Sequence, residues 1–245
     1  YHVVDDESFC QEEFLRKVKE SPNCPKSACP SPQRYYDAYE CEADHIYVVT
    51  LSERLSGSYN SAQTAKQMFV SDFPNKKVYV FNSCSASIGE TLIAMKIQES
   101  EEAGCTFEQT VAQTENYIAD QRTFFVLETL ETLRKNGRLS NLKAFVANVL
   151  NIKPVMGSTP EGEICQLAQA QGMNKALERM VQEIMQHVKD KDKQILAISH
   201  CNCPKRAEYV KEKIEKLMKF KKILILDTAG VSSMYANDGG IIVAV

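Results

Sequence analysis

A serine-rich segment between a predicted strand and a predicted helix constrains this chain most. The apolar, β-branched run 46–51 has the pattern of a buried strand, and apolar residues recur at helical spacing over 62–69. The segment between them carries four serines and Gly57. Serine and glycine favour a tight turn whose N–H groups and hydroxyls bind an anion at the start of a helix. The same pattern also fits Ser56 or Ser58 as a simple helix cap, and the residues alone leave both interpretations open.

A second segment repeats this arrangement. The run 78–81 predicts another buried strand, the small residues of 82–89, including Ser83, predict a turn, and apolar spacing over 92–97 predicts a helix. Strand, turn, helix and strand in succession are typical of a parallel sheet with crossover helices. Ligands of such sheets bind beyond the carboxyl ends of the strands, where both turns are expected.

The pattern changes after residue 121. The runs 124–127 and 152–156 predict strands, and Pro154 favours an edge position for the second, which forms a hairpin with 164–170. Further elements are predicted as helices over 109–120, 130–133, 138–150, 175–187 and 205–218 and as strands over 195–198, 223–226 and 241–245. We therefore predict an α/β protein of two domains. The first, over 1–121, has a mainly parallel sheet with crossover helices, and the second, over 122–245, has a mixed sheet.

The region before the first strand contains a stiff loop. Ser8 is predicted to cap a helix that runs through Val18. Four prolines within 22–32 exclude both a helix and a central strand, which predicts a semi-rigid extended loop. A stiff loop loses little entropy when a ligand binds, which makes Ser27 a candidate fixed donor. A plain connector explains the composition equally well.

Composition excludes several classes of protein. Hydrophobic residues make up 44% and charged residues 25%, as in an ordinary soluble globular protein. A formal net charge of −3 argues against a nucleic-acid-binding protein. No apolar run approaches the ~18 residues that a membrane span needs, and no signal peptide opens the sequence. A cytoplasmic location without stable membrane insertion is therefore expected.

The nine cysteines are predicted to be reduced thiols, since their number is odd and no export signal is present. Cys201 and Cys203 beside His200 suggest a metal site. However, no second cysteine or histidine pair stands at a zinc-site spacing, so no metal is expected.

Five stretches together resemble the DegV family of bacterial fatty-acid-binding proteins. The matching motifs are Lys26-Ser27-Ala28-Cys29-Pro30, where the family favours Thr-Ser-Gln-Pro, Leu51 to Ala62, Asn82-Ser83, where the family favours Asp-Ser, Leu133 to Ser140, and Ile152-Lys153-Pro154-Val155. They run over nearly the whole chain in the family's order. The family's opening strand, with its own Asp-Ser motif, is not found and would precede Tyr1.

The resemblance implies a function. Members of the family have two α/β domains, described as the EDD fold, with a long-chain fatty acid such as palmitate buried between them. We therefore expect this chain to have no enzymatic activity and no cofactor. The family's carboxylate-binding hydroxyls fall on Ser27 and Ser56, with Gly57, Ser58 and Ser83 as additional candidates.

The resemblance also implies a partner, since several bacterial members present the fatty acid to a separate kinase that phosphorylates its carboxyl group. Two stretches depart from the family pattern. Gln171 lies where the family often has arginine in Lys-x-Arg-Gly, and Tyr235 begins the stretch where it often has His-x-Gly-Pro-Gly. Loss of an arginine and a histidine is expected to weaken coupling to a fatty acid kinase.

An enzyme is the main alternative: a serine hydrolase that acts on a small lipid or ester through Ser56 or Ser58. Only His200, at the carboxyl end of a strand, is placed as a general base would be. The sequence has no G-x-S-x-G elbow, and His200 also fits a hydrogen-bonded structural role. A nucleotide-binding protein is excluded because the phosphate-loop lysine and spaced glycines are absent.

Overall fold

The computed structural model describes residues 2–139, 151–188 and 191–245. The predicted helix over 138–150 therefore lies almost entirely outside the described residues. The elements found in the described ranges are α1 (Gln11–Glu20), α2 (Pro32–Tyr39), β1 (His45–Thr50), α3 (Ser58–Asp72), β2 (Lys77–Asn82), α4 (Ile88–Glu102), α5 (Phe107–Asp120), β3 (Thr123–Val126), α6 (Glu131–Lys135), β4 (Ile152–Ser158), β5 (Ile164–Gln171), α7 (Met173–His187), a 3-10 turn (Lys191–Lys193), β6 (Ile195–His200), α8 (Pro204–Glu215), β7 (Lys222–Asp227), α9 (Gly230–Ala236) and β8 (Ile241–Ala244).

These elements form two compact units. The larger unit contains Tyr1–Ser27, Arg122–Ser158 and Ile164–Val245, and the smaller unit contains Ala28–Gln121 and Thr159–Glu163. One limit between the units lies between Gln121 and Arg122. The domain limits 1–121 and 122–245 stay a prediction. In contrast to the predicted domains, residues 1–27 pack with the larger unit, and the 159–163 hairpin turn packs with the smaller one.

In the smaller unit, β1 and β2 pair in parallel from His45↔Lys77 to Thr50↔Asn82. Alternate residues of a strand point to opposite faces. Ile46 and Val78 accordingly pack with residues of α2 and α3, whereas Phe81 packs with residues of α4 and α5. The predicted parallel sheet with crossover helices is confirmed.

In the larger unit, six strands form one mixed sheet in the order β5-β4-β3-β8-β6-β7, in which β6 and β7 are parallel. Every residue of β3 is buried. Phe124 and Val126 face a cluster completed by α7 and α8, and Phe125 faces a second cluster that includes Leu133 of α6 and Ala236 of α9. Helices cover both faces, so the strand is buried throughout rather than on alternate residues. The predicted α/β fold class is confirmed.

The predicted edge position of 152–156 is wrong. Strand β4 lies between β5 and β3. It pairs with β5 over its whole length, but with β3 only at Met156 and Gly157. Pro154 precedes the stretch that pairs with β3, so its missing N–H breaks no ladder bond there.

Two local expectations are also corrected. Ser8 does not cap α1, whose N-cap is Cys10, because its hydroxyl donates to Asp6 instead. The proline-rich loop ends in a helix: Pro32 is its first residue and the Ser31 side chain accepts from the Arg34 N–H. Proline suits this position because the N–H it lacks has no partner in the first turn. Helix α9 was not predicted from the sequence.

Within the described ranges, no helix is long and apolar enough to cross a membrane, and no group of three or more His, Cys, Asp or Glu side chains is arranged to hold a metal ion.

Gly162 fixes the 159–163 turn against the smaller unit, and its replacement tests that contact. Its φ is +81°, and an added Cβ would lie 2.3 Å from Ser52 Oγ. Gly104 has φ +76° but open space around it, so it provides a matched control. We expect Gly104→Ala to lower the free energy of unfolding by about 1 kcal/mol through backbone strain. Gly162→Ala should cost about 1–3 kcal/mol more because it also overpacks the site.

The measurement is chemical denaturation of both variants beside the parent chain. Equal losses for Gly162→Ala and Gly104→Ala would show that the 159–163 turn does not constrain the smaller unit.

Candidate functional site

Ser52 organises the serine-rich turn of the smaller unit. Its side chain is fully buried and donates to the Gly162 carbonyl at 2.8 Å, while its carbonyl accepts from the N–H groups of Leu55 and Ser56. Its own N–H donates to the Ser85 carbonyl at 2.9 Å. This last bond joins the turn after β1 to the turn after β2, so the two turns predicted to share an edge do so.

Ser56 and Ser58 lie at the N-terminus of α3. Their hydroxyl oxygens are 2.9 Å apart, and the Ser58 N–H donates to Ser56 Oγ. Ser58 is buried and Ser56 is partly exposed, so Ser56 is the one that faces outward. Behind them, burial raises the pKa of the Tyr35 phenol, and a hydrogen bond with Ser58 opposes that shift. The N-terminus of a long helix adds a positive potential at Ser56.

Gly57 leaves the approach to this turn open. It is the N-cap of α3, with an ordinary φ of −73°, so its conformation does not require glycine. A Cβ at this position would lie 3.2 Å from the Cys29 sulfur. The lack of a side chain therefore prevents crowding between the turn and Cys29.

Ser83 is committed to its own turn. It is 1% exposed, its hydroxyl donates to the Ser85 carbonyl, and its oxygen accepts from the Ser85 N–H. These bonds shape the second turn and leave Ser83 no proton to donate to a ligand.

Ser27 lies in the larger unit, in the middle of the proline-rich loop 22–32. Asn136 holds this loop through a 3.0 Å bond from Nδ2 to the Pro25 carbonyl. The partly buried Ser27 hydroxyl is 3.1 Å from the hydroxyl of Tyr235 in α9. The expected stiff loop is thus anchored by the asparagine of the Leu133–Ser140 motif.

The smaller unit offers no histidine base to Ser56 or Ser58. Its only histidine by sequence is His45, whose Nδ1 lies 3.1 Å from Glu101. His200 belongs to the larger unit, where it is 5% exposed, accepts from the Cys203 N–H and lies 3.3 Å from Asp227. This surrounding fits the structural role, and the hydrolase alternative is not favoured.

The surroundings of the cysteines beside His200 oppose ionisation of their thiols. Cys201 is fully buried, and burial raises the pKa of the Cys203 thiol to about 11. A thiol must lose its proton to attack or to bind a metal, and a raised pKa opposes this at neutral pH.

The sequence motifs point to Ser27, Ser56 and Ser58 as candidates but not to the residues that position them. Ser52 lies within the Leu51–Ala62 motif but was assigned no role, and Tyr35 carries no special sequence signal. Tyr235 was noted only as a departure from a family motif, although the structure places it on Ser27.

Comparison with known proteins identifies the family. The family model described as "Uncharacterised protein, DegV family" matches residues 2–245. This chain belongs to the DegV family. A DegV domain-containing protein of Streptococcus pyogenes serotype M1 is 33% identical over 238 residues, which cover 97% of this chain and 84% of that protein. The predicted family membership is confirmed.

Solved DegV structures share the fold. A DegV family protein from Ruminococcus gnavus, refined with vaccenic acid, has a TM-score of 0.96 and 54% identity, with 98% of this chain and 86% of that chain covered. The fatty acid kinase (Fak) B3 protein of Streptococcus pneumoniae, loaded with linoleic acid, has a TM-score of 0.90 and 32% identity, with 98% and 85% covered.

Proposed function

We propose that this DegV-family protein binds one long-chain fatty acid, such as palmitate, and carries it without catalysing a reaction on it. The observation that carries the proposal is the vaccenic acid in the Ruminococcus gnavus relative, whose aligned sequence is 54% identical to this chain. The linoleic acid in the Streptococcus pneumoniae relative supports the same ligand class. A cytoplasmic location stays a prediction of the sequence.

We assign the headgroup to Ser27 and Ser56. Both are partly exposed serines on segments held by hydrogen bonds that are buried for Ser56 and partly buried for Ser27, as a fixed donor requires. Ser58 supports Ser56 through the bond between their hydroxyls, and Gly57 keeps the turn uncrowded. Ser83 is left out of the proposed site because its hydroxyl proton is used within its own turn.

The acyl chain and the headgroup contribute unequally to the free energy of binding. Burial gains ~0.8 kcal/mol per methylene, so a sixteen-carbon chain gains on the order of 10 kcal/mol before ordering costs. Two hydroxyls that donate to a carboxylate together contribute ~2–4 kcal/mol. The acyl chain therefore supplies most of the affinity, and the serines set which end of the ligand is held.

Removing either serine tests the headgroup assignment. Ser27→Ala or Ser56→Ala leaves the carboxylate short of one donor, at a cost of ~1–3 kcal/mol, or about a tenfold to hundredfold loss of palmitate affinity. The double variant should lose less than the sum, since both hydroxyls act on one group. A fatty alcohol of equal length should be less affected because it brings no charge.

Ser71→Ala, which removes an exposed hydroxyl that donates to the Gln67 carbonyl of the same helix, is the matched control and should bind like the parent chain. Unchanged palmitate affinity in the double variant, with a normal melting curve, would place the headgroup elsewhere. Esterase activity that disappears in Ser56→Ala would instead support the hydrolase.

We further propose that the protein couples only weakly to a fatty acid kinase. The partner class is suggested by the name of the Streptococcus pneumoniae relative. Gln171, at the exposed end of β5, supplies no positive charge for a phosphate donor. The measurement is the rate at which a fatty acid kinase and ATP form acyl phosphate from the bound fatty acid. We expect this rate to be low for the parent chain and higher for Gln171→Arg. A rate equal to that of the Streptococcus pneumoniae protein would contradict weak coupling.

A further inference from the structure

We propose that Tyr235 is a positioning residue that fixes the direction in which the Ser27 hydroxyl donates. The inference rests on the proposed fatty acid site. Its basis is the 3.1 Å separation between the Tyr235 hydroxyl and Ser27 Oγ, at which either oxygen is able to act as the donor. The ligand decides between the two directions.

An ionised carboxylate only accepts hydrogen bonds. Ser27 must therefore give its single proton to the ligand, and its oxygen is left to accept. The Tyr235 O–H is the donor that fills this role. The two bonds form a directed chain from Tyr235 to Ser27 to the carboxylate, and each bond in such a chain polarises the next.

The backbone and ring of Tyr235 are held in place. Its ring packs beside the second hydrophobic cluster of the larger unit, and its carbonyl accepts from Asn237 Nδ2 at 3.0 Å. Asn237 Oδ1 in turn accepts from the Thr132 hydroxyl at 3.1 Å, which ties α9 to α6.

The end of helix α6 also holds the loop that carries Ser27. Asn136, immediately after α6, bonds through Nδ2 to the Pro25 carbonyl at 3.0 Å and to the Thr132 carbonyl at 2.9 Å. Thr132 thus connects, through Asn136, to the loop that carries Ser27 and, through Asn237, to the helix that carries Tyr235. The distance between the two hydroxyls is set before a ligand arrives, so little ordering cost falls on binding.

A serine with this partner discriminates between headgroups. It favours headgroups that accept a hydrogen bond, such as an ionised carboxylate, over headgroups that must donate one to the protein. Without the phenol, Ser27 is free to donate or to accept, and an alcohol headgroup is then able to use it in either sense. Tyr235 therefore contributes to the preference for acid over alcohol.

The test is Tyr235→Phe, which keeps the ring and removes only the hydroxyl. Tyr209→Phe is the matched control, since it removes a phenol that donates to Glu178 at 2.8 Å on α7. Affinities for palmitate and for hexadecanol are measured on both variants and the parent chain. We expect Tyr235→Phe to weaken palmitate about threefold to tenfold, hexadecanol less than twofold, and Tyr209→Phe to change neither.

A second comparison places the same substitution in the Ser27→Ala background. With Ser27 removed, Tyr235→Phe should cause no further loss of palmitate affinity. An undiminished loss in that background, or equal losses for acid and alcohol, would assign Tyr235 a merely structural role and overturn the proposal. So would an unchanged palmitate affinity in Tyr235→Phe while Ser27→Ala binds weakly. If the parent chain itself binds no fatty acid, the proposed function fails, independently of Tyr235.

Discussion

The buried Ser52 side chain is the constraint on which the serine turn depends. Its hydroxyl donates to the Gly162 carbonyl and accepts from the Arg54 N–H, and its backbone groups bond to Ser85, Leu55 and Ser56. A buried polar group costs free energy unless it is paired, so this set of bonds allows few other conformations of the turn. Ser56 inherits its position from Ser52, and Ser58 then shares a hydroxyl contact with Ser56.

In the larger unit, amide side chains hold the candidate hydroxyl in place. Asn136 and Asn237 use their two-sided hydrogen-bonding groups to join α6 to the Ser27 loop and to α9. In each unit the exposed candidate hydroxyl has a second hydroxyl behind it, Ser58 for Ser56 and Tyr235 for Ser27. A donor that is oriented before binding contributes its full strength to the ligand, because no rotamer has to be frozen at that moment.

The sequence predicted what local patterns encode. Apolar periodicity identified β1, β2 and the long helix α7, and the strand–turn–helix order predicted the parallel sheet. Five motifs predicted the family, which is confirmed, and indicated Ser27 and Ser56 as candidates for the site. The edge position predicted from Pro154 is wrong, because a strand with partners on both sides can be only partly paired with one of them. Sequence patterns also missed Ser52 and Tyr235, whose bonds to Gly162 and Ser27 span 110 and 208 residues of sequence.

The central claim, that the protein carries a long-chain fatty acid, is tested most directly by its bound ligand. The protein is purified from bacteria without added lipid, extracted with organic solvent and examined by mass spectrometry, with native mass spectrometry of the intact protein for stoichiometry. The account predicts one long-chain fatty acid per chain. Repeated ligand-free preparations that also fail to bind added palmitate would contradict it.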